Sequence, residues 1–118
     1  MKRRIGIVGS PDSLSDSQMP RFLEIVWGAR NGRGIIVTTD DKTGAPAHAR
    51  HHCPLLGVEI VEHALNPAYG KVAVAIRNQR VIEDAHELHA FWDGKGRGMA
   101  DAIKQARLTG MTVRVYKP

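Results

Sequence analysis

Short β-branched apolar runs alternate along the chain with stretches in which apolar residues return every three or four positions. Arg4-Ile5-Gly6-Ile7-Val8-Gly9 is the first run; it is apolar on both faces, which predicts a strand covered on each side, and it stops at Gly9-Ser10-Pro11. Met19, Phe22, Leu23, Val26 and Trp27 then share one face at helical spacing, with Ser17 as the cap, Pro20 in the first turn and Asn31-Gly32 as the stop. Gly34 to Thr39 predicts a second buried strand running into the polar segment Asp40 to Gly44. Ala45 to Cys53 predicts a short helix whose apolar face is made of alanines, and Val58 to Glu62 a third strand followed by the loop Asn66 to Gly70. Lys71 to Ala85 holds no breaker and predicts a helix with Val72, Ala75, Ile76 and Ile82 on one face and Arg77, Asn78 and Arg80 elsewhere on the surface. Leu88 to Trp92 is the fourth strand, Gly98 to Leu108 a helix with Met99, Ile103 and Ala106 inward, and Thr112 to Tyr116 the last strand after Gly110.

Strict alternation of strands and helices implies an α/β domain in which about five mainly parallel strands carry helices on both faces through right-handed crossovers. Ligands in such open sheets bind beyond the carboxyl ends of the strands, where the strand order reverses. Three polar strand ends should meet there: Gly9-Ser10-Pro11, Thr38-Thr39-Asp40-Asp41 and the glycine-rich turn Asp93-Gly94-Lys95-Gly96-Arg97-Gly98. In that turn three glycines alternate with two cations before a helix begins, so backbone amides, the helix dipole, and Lys95 or Arg97 could hold a phosphate. Asp93 could accept from a ribose hydroxyl. The competing reading is an ordinary strand-to-helix turn that needs glycine for its geometry. Neither GxGxxG after the first strand nor GxxxxGK with Ser or Thr is present, which argues against a standard NAD dehydrogenase or P-loop ATPase.

Composition narrows the picture further. The 118 residues, 42% of them hydrophobic and 5% aromatic, suit one domain, numbered 1–118, with an aliphatic core. A formal charge of +5 favours phosphorylated or polyanionic partners, although acids are scattered among the cations. The lone Cys53 cannot form an internal disulfide, and its setting suggests a small buried residue rather than a nucleophile. No apolar run approaches the roughly 20 residues of a membrane span, and the run Ile5 to Val8 is too short for a signal-peptide core, so a cytoplasmic protein without a membrane partner is expected. His48 and His52 stand four apart, yet no third or fourth donor has ligand spacing, so no metal is expected. His86 and His89 flank a strand start and read as structural, and Trp92 alternates with Ala90 and Leu88 as a core residue.

Gly9-Ser10 after the first strand, Arg77-Asn78 in the third helix with Asp84 after it, and Phe91-Trp92-Asp93-Gly94 leading into Gly98 resemble the SLOG superfamily of Rossmann-like proteins, related to the DNA-processing and Lonely Guy proteins. The match looks like its small YpsA-related subfamily and extends over nearly the whole chain. The resemblance implies a pocket for a nucleotide or nucleotide-derived ligand lined by Gly9, Ser10, Arg77, Asn78, Gly94 and Gly98; with the loop readings, the candidate binding set adds Thr38, Thr39, Asp93, Lys95, Gly96, Arg97 and Met99. It also implies a sensor or binding module that requires no cofactor and could hold a bound nucleotide, and a homo-oligomer. Where the Lonely Guy proteins carry their glutamate this chain has Ala102, which argues against their hydrolysis; Asp93 is the nearest candidate acid for chemistry at an N-glycosidic bond. A nucleic-acid binder of the DNA-processing type is the alternative, favoured by the charge and opposed by the lack of paired aromatics on a basic strand face.

Overall fold

A computed structural model describes residues 2–118. Five strands, β1 (Arg3–Gly9), β2 (Gly34–Thr39), β3 (Glu59–His63), β4 (Glu87–Phe91) and β5 (Thr112–Tyr116), form one all-parallel sheet in the order β3-β2-β1-β4-β5. The α-helices are α1 (Met19–Gly28), α2 (Gly44–Leu55), α3 (Ala73–Asp84) and α4 (Arg97–Leu108), and a 3-10 segment, Pro67–Val72, precedes α3. This is a Rossmann-like fold.

The period of two along each strand divides the core into two layers. Ile5, Ile7, Ile36 and Phe91 pack with Phe22 and Val26 of α1 and with Ala45, Ala49 and Cys53 of α2. Val8, Ile35, Val37, Leu88 and Ala90 point the other way, against Val81 and Ile82 of α3 and Ala102, Ile103 and Ala106 of α4. Burial pushes the Cys53 thiol up to about 12, so it packs as a small apolar side chain rather than reacting as a thiolate. Because the crossover after β1 runs to β2 while α3 brings the chain back to β4 on the other side of β1, the order reverses between β1 and β4. The crevice for a ligand lies beyond those two strand ends.

Several local expectations are corrected. Ser17 does not cap α1: Gln18 occupies the N-cap, its Oε1 accepts from the Leu14 and Ser15 amides, and its Nε2 donates to the Tyr116 carbonyl. Leu23 and Trp27 are exposed, and the Trp27 ring lies 4.1 Å beneath the Arg30 guanidinium. The helix expected from Lys71 begins at Ala73, because Gly70 takes φ of 57° and breaks the path. Its buried face is Ala73, Arg77, Asn78, Val81 and Ile82, while Val72 and Ala75 face solvent. Helical periodicity allowed either face; in the fold Val81 and Ile82 pack into the core, and Arg77 beside them pairs with Asp40 and Asp41.

His89 is buried between Glu87 and Tyr116: its Nε2 lies 3.0 Å from Glu87 Oε2 and its Nδ1 2.7 Å from the Tyr116 hydroxyl. Burial lowers its pKa below the ordinary 6.5, and the Glu87 carboxylate opposes this only in part. Burial and the neighbouring imidazoles His51 and His48 lower His52 as well. A depressed folded pKa gives stability that is whole above the unfolded value and is lost as pH falls through the folded one. Stability should therefore be flat from about pH 6.5 to about pH 8 and decline on acidification below that range. Urea unfolding at pH 7.5 and 5.5 checks this, and His89→Gln should shrink the difference between the two.

Candidate functional site

Beyond the ends of β1, β2 and β4 lies a cleft of about 250 Å³. Its walls come from the loop after β1, the loop after β2, the first turns of α3 and the start of α4. Of the thirteen binding candidates, it brings together Gly9, Ser10, Thr39, Arg77, Asn78, Asp93, Gly96, Gly98 and Met99. Gly94, Lys95 and Arg97 are exposed on the turn outside the lining, and the Thr38 hydroxyl is buried, donating to the Ile7 carbonyl at 2.6 Å.

The β1 end is tightly built. The Ser10 amide donates to the Phe91 carbonyl at 3.0 Å, and the Ser10 Oγ accepts from the Asp93 amide at 3.2 Å, tying the first loop to the third. Ser13, which the sequence reading did not single out, accepts from the Ala45 amide at 2.8 Å and so satisfies the start of α2. A Cβ on Gly9 would stand 2.4 Å from Ser13 Oγ and 3.2 Å from the Phe91 carbonyl oxygen, which is why the strand ends in glycine.

Arg77 does not fork toward open space. Its Nη1 donates to Asp40 Oδ1 at 3.1 Å and Asp41 Oδ1 at 3.0 Å, and its Nη2 to Asp41 Oδ2 at 3.2 Å and Asn78 Oδ1 at 3.3 Å. The guanidinium is thus neutralised by two carboxylates from the end of β2, while its buried Nε has no partner among the described residues. Burial works to raise the pKa of Asp40, and the Leu65 amide and Arg77 overcome it, so the carboxyl stays below its ordinary value. Thr39 Oγ1 donates to Asp41 Oδ2 at 2.7 Å, and Arg50 donates to the Thr39 and Asp41 carbonyls, fixing the loop. Neither Asp40 nor Asp41 was counted as a site residue from sequence; the signal was two adjacent acids at the end of a buried strand facing a helix that carries arginine.

The glycine-rich turn spends part of its donors internally. Asp93 Oδ1 accepts from the Lys95 amide at 2.8 Å and the Gly96 amide at 3.3 Å. The Lys95 amide first, and the Gly96 amide and Lys95 charge after it, hold the Asp93 carboxyl below its ordinary value. An ionised carboxylate accepts hydrogen bonds at neutral pH and has no proton to deliver. What remains open is the first turn of α4: Gly96 is its N-cap, with no side-chain cap hydrogen bond. The half-buried Trp92 packs on the α3/α4 layer as expected, with Lys117 Nζ 5.7 Å from its ring, and its buried Nε1 has no partner among the described residues. Among the described residues no three His, Cys, Asp or Glu side chains are grouped to hold a metal ion, and His48 and His52 lie stacked with ring centroids 6.1 Å apart. No helix among the described residues is long and apolar enough to cross a membrane.

Fold and cleft define a Rossmann-like α/β domain with a cavity at its topological switch point. No protein-family profile matches the chain, and no curated protein matches it by sequence. Solved structures do share the fold. Two structures of the Moco carrier protein from Chlamydomonas reinhardtii superpose with TM-scores of 0.70 and 0.68, at 17% and 16% identity, over 98% of this chain and 76% of theirs. A third, described as the molybdenum cofactor carrier protein from the same organism, gives 0.64 at 16% identity.

Proposed function

We propose that the protein is a binding module of the SLOG type, in its YpsA-related branch, and that it holds a nucleotide or nucleotide-derived ligand in the cleft. One observation carries the reading: the uncapped first turn of α4 opens on a cavity whose other walls are the loops after β1 and β2. Phosphate oxygens would accept from the first-turn amides, with Lys95 and Arg97 adding charge at the rim. Asp93 and Asp41 suit sugar hydroxyls or exocyclic amines, because both are acceptors. Arg77 shapes the wall through its ion pairs rather than meeting phosphate as a free cation. The molybdenum cofactor of the structural neighbours is one candidate within this ligand class. Hydrolysis at an N-glycosidic bond is less well supported: Asp93 is held ionised, and Ala102 is buried in the core.

Thermal unfolding with AMP, ADP-ribose, NAD and a short single-stranded DNA, at low and moderate salt, tests the reading. A ligand that binds only the folded state stabilises by RT ln(1 + [L]/Kd), about 2.7 kcal/mol at a hundredfold excess over Kd. The expected result is a salt-tolerant rise with a nucleotide that weakens in Arg97→Ala. A rise with DNA alone that disappears in salt would favour the nucleic-acid reading, and no rise with any of them would contradict ligand binding.

A further inference from the structure

A second cavity, of about 220 Å³, lies between α3 and α4 and adjoins the cleft, with Val74, Asn78 and Gly98 lining both. The junction therefore lies at the uncapped start of α4, where the amides point. Resting on the reading that the cleft holds a phosphate-bearing nucleotide, we propose that the ligand is a two-part molecule. A nucleoside occupies the cleft, a diphosphate sits at the junction on the α4 amides, and a second, uncharged polar moiety enters the groove between α3 and α4.

Asn78 is the pivot. It is 7% exposed and borders both cavities, and because its Oδ1 accepts from Arg77, its Nδ2 is the group left to donate to a ligand crossing the junction. The groove itself suits a neutral group. Ala75, Ile82 and Ala102 make it apolar, Gln79 supplies an amide, and its charged side chains, Lys71 and Asp101, cancel. A mononucleotide would leave this space unused.

Calorimetric titration of AMP and ADP-ribose into the native protein and into Ala75→Trp provides the test. Ala75 is exposed and borders the groove but not the cleft, so the indole should fill the groove without disturbing the core. The native protein should bind ADP-ribose about tenfold or more tighter than AMP. In Ala75→Trp the AMP affinity should hold and the ADP-ribose advantage should vanish. Gln105→Ala, which trims an exposed groove residue without adding bulk, should reduce the same advantage severalfold while leaving AMP unchanged. Equal affinity for the two ligands in the native protein, or an advantage that survives both substitutions, would overturn the two-part ligand and leave the cleft reading standing. Binding of neither would overturn both.

Discussion

Gly44→Ala is expected to destabilise the protein by about 3 kcal/mol, lowering its thermal midpoint by roughly 10 °C or more. Gly44 opens α2 at φ of 72°, a region that disfavours any Cβ. A methyl group there would also stand 2.3 Å from the Ser10 carbonyl oxygen and 2.7 Å from Ser13 Oγ. Ser13 could turn, but it would then abandon the Ala45 amide. Ser10 cannot yield easily, because its amide is bonded to Phe91 and its hydroxyl to the Asp93 amide. The strain would thus reach the cleft wall. Gly57→Ala is the control: φ is 67° with nothing within 4 Å of the added carbon, so only the backbone term of about 1–2 kcal/mol applies. Urea unfolding of the two variants measures the steric share, and equal losses would refute the close packing of the first and second loops.

The second large effect concerns the Arg77 ion pairs. Asp40→Ala with Asp41→Ala should cost on the order of 3–5 kcal/mol, because a guanidinium whose side chain is only 7% exposed would lose both carboxylates. Arg77→Met alone should cost less, since the two aspartates are 27% and 36% exposed and water can take them over. Adding Arg77→Met to the double variant should then restore stability by removing the stranded charge. Chemical denaturation of the four proteins at neutral pH decides. A triple variant no more stable than the double one would mean that Arg77 reaches water once freed, and that the wall is less rigid than its hydrogen bonds imply.

The parallel sheet was legible because its signals are local. β2, from Gly34 to Thr39, has no polar residue before its end, and such a run is stable only when covered on both faces. The meeting of three strand ends followed from topology alone, and with Arg77 and Asn78 added by the family resemblance nine of the thirteen candidate residues line one cleft. What could not be read were choices made by long-range pairing. Arg77 and Asn78 look solvent-facing on helical spacing, yet both are buried: Arg77 reaches Asp40 and Asp41, 36 residues or more away, and Asn78 accepts from Arg77. The turn from Asp93 to Gly98 offered every amide to a phosphate on paper. In the fold Asp93 takes two of them, which moves the open donors to the first turn of α4. Ser13 and Gln18 gave no pattern because their partners, Ala45 and Tyr116, lie far along the chain.

The central claim, that a phosphate rests on the α4 N-terminus, is tested most directly by titrating ADP-ribose calorimetrically into the native protein and into Gly98→Glu. Gly98 lines the cleft within the first helical turn, and a Cβ there meets nothing within 4 Å. A carboxylate near a helix start is favourable by roughly 0.3–1 kcal/mol, and glutamate is a better helix residue than glycine, so the variant should be at least as stable as the native protein. The same charge would repel a phosphate. The account predicts unchanged or raised stability together with a loss of affinity of about tenfold or more. Undiminished affinity in a folded Gly98→Glu protein would contradict it.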